Sequence, residues 1–166
     1  MSMKEQVLSI LVENTTGVLS RISGLFSRRG FNINSITAGV TSDVRFTRIT
    51  IVTSGDELVL SQIEKQVAKL EDVVSVERMP EETTVARELI LVKVKSSSEV
   101  RLDINTLVDI FRAKVVDVSE DSMTIELTGN YNKITAFLKL ADSYGIIELA
   151  RTGVTALSRG AGAWED

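Results

Sequence analysis

Val7-Leu8-Ser9-Ile10-Leu11-Val12, followed by Glu13-Asn14-Thr15-Thr16-Gly17 and then by Val18-Leu19-Ser20-Arg21-Ile22-Ser23-Gly24-Leu25-Phe26, is the stretch on which the fold turns. Its first part is a nearly continuous apolar run, the pattern of a strand buried on both faces. Its second part is polar and ends in glycine. In its third part the period lengthens, because Val18, Ile22, Leu25 and Phe26 recur at helical spacing before Gly30 closes the pattern. Strand, turn and helix therefore follow one another at the start of the chain.

Outward from there, residues 31–40 and 46–53 cluster β-branched side chains around Thr41-Ser42-Asp43, which predicts a hairpin. Ser54-Gly55-Asp56 opens a second helical pattern through Leu60, Ile63, Val67 and Leu70, and residues 73–76 supply a last strand. The order β-α-β-β-α-β is the ferredoxin-like split arrangement. The one proline, Pro80, sits in the polar run Met79-Pro80-Glu81-Glu82-Thr83-Thr84 and marks a boundary between residues 1–79 and 80–166. Beyond it the same order recurs. Residues 89–94 read as a strand, Ile104, Leu107, Val108 and Phe111 as a helix face, and residues 115–118 and 123–127 as a hairpin. Ile134, Phe137, Leu138 and Ala141 mark a second helix, stopped by Gly145, and residues 146–150 close the pattern. The expectation is an α+β protein of two tandem ferredoxin-like βαββαβ domains. Each sheet leaves exposed edges and a half-apolar face, which predicts a homodimer. The polar, glycine-rich Ser158-Arg159-Gly160-Ala161-Gly162 reads as a loose tail.

Composition removes whole chemistries. The chain has no cysteine and no histidine among its 166 residues, so disulfides, thiol nucleophiles, Ser-His-Asp triads and His/Cys zinc sites are excluded. Its 23 Asp and Glu are scattered, with no pairing at metal-ligand spacing, so the catalytic and metal sets are both empty. A net charge of −4 with no basic stripe argues against nucleic acid. No apolar stretch is long enough to span a membrane and no signal peptide is visible, so the cytoplasm is expected.

Two groups of residues are candidates for binding. Asn14-Thr15-Thr16-Gly17 stands at a helix N-terminus, where backbone N–H groups and a partial positive charge suit a carboxylate and a glycine lets it approach. Asn14 offers both a donor and an acceptor to an amino acid's paired charges, although Asn and Thr before a helix also serve as caps. Asn32 and Asn34, inside a strand pattern, should turn out of the core, either toward a polar ligand or partner or as the polar dress of an edge strand.

The segments Leu11-Val12-Glu13-Asn14-Thr15-Thr16-Gly17-Val18-Leu19-Ser20-Arg21-Ile22 and Gly24-Leu25-Phe26-Ser27-Arg28-Arg29-Gly30-Phe31-Asn32-Ile33 resemble the opening of the acetohydroxyacid (acetolactate) synthase regulatory subunit. Gln62-Ile63-Glu64-Lys65-Gln66, Ile110-Phe111-Arg112-Ala113, Ala150-Arg151-Thr152-Gly153 and Leu157-Ser158-Arg159-Gly160 extend the likeness through most of the chain. The resemblance implies that the first domain is an ACT domain and that the chain has no catalytic activity of its own. It implies a large catalytic subunit as partner, carrying thiamine diphosphate, Mg and FAD, with no cofactor in this chain. It further implies a branched-chain amino acid effector, valine above all, held where ACT domains pair. By motif position the effector contacts would be Asn14, Gly17 and Val18 from the loop and helix, with Asn32, Thr37 and Ala38 from the second strand. The alternative is a free-standing ACT sensor of amino acids acting on transcription or another enzyme. A small ferredoxin-like enzyme of acyl-phosphatase type is disfavoured, since the loop before the first helix carries no arginine to cradle a phosphate.

Overall fold

In the computed structural model, which describes residues 4–160, the opening apolar run becomes the middle of β1 (Lys4–Glu13). α1 (Val18–Arg29), β2 (Asn32–Val40), β3 (Phe46–Gly55), α2 (Glu57–Ala68) and β4 (Val73–Met79) follow. The strands pair antiparallel in the order β2-β3-β1-β4, so β1 is interior and β2 lies at an edge. One face of this sheet carries Leu8, Ile10, Val12, Ile49 and Ile51, all fully buried. Against them pack Val18, Ile22, Leu25 and Phe26 of α1 and Leu60, Ile63 and Val67 of α2. Each such side chain contributes about 1.5–3 kcal/mol of burial, which is why the helical period of the sequence is matched by helices here. Gly30 ends α1 at φ 67, and the N–H of Phe31 then donates to the Phe26 carbonyl at 2.9 Å. Asp56 opens α2 by accepting from the Val59 N–H at 2.9 Å.

The second half repeats the plan with β5 (Thr84–Lys95), α3 (Arg101–Ile110), β6 (Lys114–Val118), β7 (Ser122–Gly129), α4 (Tyr131–Ala141) and β8 (Ile146–Arg151). Its sheet order, β6-β7-β5-β8, reproduces that of the first. Ile90, Val92, Val94, Met123, Ile125 and Leu127 meet Ile104, Leu107, Val108, Ile134, Phe137 and Ala141 in a separate core. The rings of Phe111 and Phe137 stand edge to face at 5.3 Å. Two ferredoxin-like βαββαβ arrangements are present, as the periodicity predicted.

Pro80 stands between the two βαββαβ orders, and by contact the described residues from Val154 group with the first of them. Pro80 leads into a 3-10 turn, Glu81–Thr83, and the polar run ends where β5 begins. One compact unit is Ala86–Gly153, while the residues before it and those from Val154 onward belong to the other. A short strand, β9 (Thr155–Ser158), accounts for this grouping, pairing with β5 and lying also against β1 and β4. Four residues of alternating pattern carry no sign of the sheet they join, so a reading by spacing runs past them. The expected loose tail is accordingly held through Arg159, whose N–H donates to the Thr83 carbonyl at 2.8 Å. Ala161 and Gly162 of that tail lie outside the described residues.

The face of the first sheet turned away from the helices is also partly covered. Ser9 and Thr50 are buried there, with Val52 nearly so. Ser9 Oγ accepts from Arg48 Nη1 at 2.8 Å. Burial lowers the affinity of the Arg48 guanidinium for its proton, and Glu77 opposes that shift. A bulge in β2 decides which of its residues look this way. Ile33 stands opposite Thr53 and Ser35 opposite Val52, so Asn34 is the extra residue.

Candidate functional site

The loop between β1 and α1 is built from both of its flanks. The backbone N–H of Asn14 donates to the Arg45 carbonyl at 2.7 Å, and its side-chain amide donates to the Val44 carbonyl at 3.1 Å. Asn14 Oδ1 accepts from Thr47 Oγ1 at 3.2 Å. Asn14 therefore ties the loop to the β2–β3 hairpin. On the other flank Thr15 Oγ1 donates to Asp72 at 2.8 Å, and the Glu13 N–H donates to the Asp72 backbone carbonyl at 2.8 Å.

Arg21, one turn into α1, folds back onto this loop. Its Nε donates to Asp72 Oδ2 at 2.5 Å, and its Nη2 reaches Thr15 Oγ1 and the Thr16 carbonyl, each at 3.3 Å. The Arg21 hydrogen bond, joined by that of Thr15, holds the Asp72 carboxyl below the usual carboxylate range. An arginine thus does converge on a loop whose own sequence has none. It is committed to Asp72 and to the loop backbone, an arrangement that fixes the loop's shape and leaves no free phosphate cradle. No local sequence signal announces this pairing, because the partners are 51 residues apart.

Within that frame Gly17 occupies the N-cap position of α1 in the left-handed region, at φ 83. No side chain caps the helix and its first turn holds no acid. The positive end of the helix is therefore left without a side-chain counterpart from its own cap or first turn, which is the arrangement that suits an incoming anion. A Cβ at Gly17 would approach Arg21 Nη1 to 3.1 Å, in a backbone conformation that L side chains rarely adopt. Val18, beside it, is buried under the sheet and belongs to the core.

Asn32, Thr37 and Ala38 lie along β2 and are not gathered around Gly17. Asn32 and Asn34 are both exposed, as expected, and bond to each other. Asn34 also donates to Glu5 Oε1 at 2.7 Å. The Asn32 backbone carbonyl accepts from Thr53 Oγ1, near the end of β3, whereas Asn14 meets Thr47 near its beginning. At about 3.3 Å per residue, the two asparagines of one chain stand roughly 20 Å apart along the sheet. Ala38 pairs with Ile49, which faces the helices, while Thr37 pairs with Thr50 on the opposite face. The Thr37 hydroxyl donates to the Val154 carbonyl at 2.9 Å. Among the described residues no group of three or more acidic side chains is placed to hold a metal.

A βαββαβ unit with a glycine-opened first helix, followed by a second unit of the same order, has the architecture of an ACT domain joined to a further ferredoxin-like unit. Residues 8–75 match the family described as the acetolactate synthase (AHAS) small subunit-like ACT domain, and residues 87–160 match the small subunit of acetolactate synthase. A probable acetolactate synthase small subunit of Methanothermobacter thermautotrophicus is 51% identical over 93% of this chain and 92% of its own length. The isozyme 3 small subunit of Salmonella typhimurium is 46% identical over 93% of this chain and 96% of its own. The crystal structure of the small subunit from Thermotoga maritima superposes with a TM-score of 0.86 at 42% identity, over 95% of this chain and 98% of that one. The chain belongs to the acetolactate synthase small-subunit family, whose members are regulatory and not catalytic chains. Membership implies a large catalytic subunit as partner, and the cofactors of the reaction belong to that subunit.

Proposed function

We propose that this chain activates the thiamine-diphosphate-dependent catalytic subunit of acetolactate synthase in the cytoplasm and makes it subject to feedback inhibition by a branched-chain amino acid, valine first. The observation that carries the proposal is the opening of α1. There Gly17 is left-handed, no side chain caps the helix, and the surrounding loop is braced by Asn14, Thr15, Arg21 and Asp72. The effector's carboxylate would lie on the N–H groups of that first turn, with Asn14, Gly17 and Val18 as the near wall. Asn32 and Ala38 would come from β2 of a second copy. The roughly 20 Å between Asn14 and Asn32 within one chain supports a site shared by a homodimer, and β2, an edge strand, offers the surface for pairing. Thr37 stays with its own chain, on the reverse of the strand.

The test is a rate assay of the catalytic subunit with this chain added, with and without valine. Gly17→Asp is expected to keep activation and to raise the valine needed for half inhibition by at least about tenfold, since it sets a like charge beside the ligand carboxylate. Inhibition of the Gly17→Asp mixture at the wild-type valine concentration would remove the site from this loop.

A further inference from the structure

Val154, where the chain re-enters the first unit, is gripped at both of its backbone polar groups by one strand. Its N–H donates to Ser35 Oγ at 3.0 Å, and its carbonyl accepts from Thr37 Oγ1 at 2.9 Å. Ile36, between the two hydroxyl residues, points the other way and packs on the core under the helices. β2 is thus a two-sided strand. Its helix-facing side carries Ala38, opposite Ile49, while its reverse side carries Asn32, opposite Ser54, and holds the returning chain. From Val154 the segment runs on through Ala156, which is buried, to the Arg159–Thr83 bond. Gly153, at φ 89, supplies the turn that leads out of the second unit.

We propose that Ser35 and Thr37 are positioning residues that couple effector occupancy along β2 to the return segment held on the strand's reverse face. This rests on the function proposed above and names the route by which that site is read. Within its own chain's sheet β2 is an edge strand paired to β3 alone, so a ligand that orders it acts on a strand held by one sheet neighbour. The two clasp bonds are each of the ordinary, modest strength at which a small shift of the strand changes their occupancy. Coupling of this kind is reciprocal: if valine tightens the clasp, the clasp tightens valine by the same factor.

The Val154 N–H reports on the clasp directly, so the experiment is amide hydrogen exchange on the full chain with and without valine. Calorimetry measures binding in parallel, and inhibition is measured on the complex with the catalytic subunit. Valine is expected to slow exchange at Val154 by about threefold or more. Ser35→Ala is expected to abolish that slowing and to blunt inhibition while activation persists, and Ser35→Thr, which returns a hydroxyl, to restore both. Exchange at Val154 that ignores valine which calorimetry shows to be bound overturns the coupling and leaves the effector site standing. Full inhibition through the Ser35→Ala chain overturns it as well. A wild-type chain that binds no branched-chain amino acid overturns both readings.

Discussion

The two units solve one structural problem, the joining of first strand, first helix and hairpin, with different chemistry. In the first unit a neutral amide, Asn14, ties the loop to the hairpin carbonyl of Val44, and the mouth of α1 is left open. In the second unit a guanidinium does the tying. Arg101, the first residue of α3, donates to the carbonyls of Ser96, Ser119 and Glu120 at 3.3, 2.8 and 3.0 Å and to Ser96 Oγ at 3.2 Å. In the second unit the helix's own first residue supplies the tie, whereas the guanidinium that braces the first unit's loop, that of Arg21, comes from one turn further along its helix. The difference teaches that one topology can brace the same loop in two ways, by an amide that leaves α1 without a side-chain cap or by a guanidinium from the helix's first residue.

The largest test of this contrast is whether the units stand apart energetically. Phe137, fully buried in the second core, should cost that unit about 3–5 kcal/mol when replaced by alanine. Calorimetric unfolding of Phe137→Ala should then move one transition and leave valine binding intact, whereas equal displacement of every transition would mean that the units melt together. Next comes the guanidinium tie. Arg101→Ala should lose about 2 kcal/mol by denaturant titration, since several carbonyls lose a charged donor at once. Arg21→Ala, whose side chain is 46% exposed, should lose about 0.2–1 kcal/mol while weakening valine inhibition through the loop.

A smaller effect separates the ends of the two leading helices. Both units pass through the left-handed region there, at Gly30 with φ 67 and at Arg112 with φ 53. Gly30→Ala should destabilise by about 1 kcal/mol and Arg112→Gly should be neutral or slightly stabilising, as read from thermal midpoints. The smallest effect lies in the first hairpin, where the side-chain hydrogen bond from Arg45, aided by the Arg45 backbone N–H, lowers the Asp43 carboxyl to about 2. A folded-state value below the unfolded one of about 3.9 adds stability that is fully present above the latter. That stability is lost as pH falls through the folded value. NMR titration of the Asp43 carboxyl should find its midpoint near 2, and a midpoint at the ordinary value would remove the pair from solution.

Both βαββαβ orders were legible because each helix and strand carries its own period. Ile22, Leu25 and Phe26 announce a helix wherever they lie, and Gly30 announces its end. Gly17 was legible for the same local reason. The placement of Thr37 and Ala38 relative to Asn32 was not, since the extra residue at Asn34 shifts the alternation within β2 by one, and a bulge leaves no mark on a pattern of apolar and polar letters. Asp72 escaped because its partners, Thr15 and Arg21, are distant in sequence and exposed, so no hydrophobic period links them. The return of Val154 to the first sheet rests on two hydroxyls and one peptide unit, a contact that composition cannot foretell.

That return also sets a timetable for synthesis. Because Ala86–Gly153 is inserted between the two parts of the first unit, the nascent chain completes β1 through β4 long before the segment that returns to them leaves the ribosome. At about 5–20 residues per second the delay amounts to several seconds. During that interval the hydroxyls of Ser35 and Thr37 have no Val154 peptide groups to meet. The second unit therefore has its own time to fold before Val154 can reach Ser35 and Thr37.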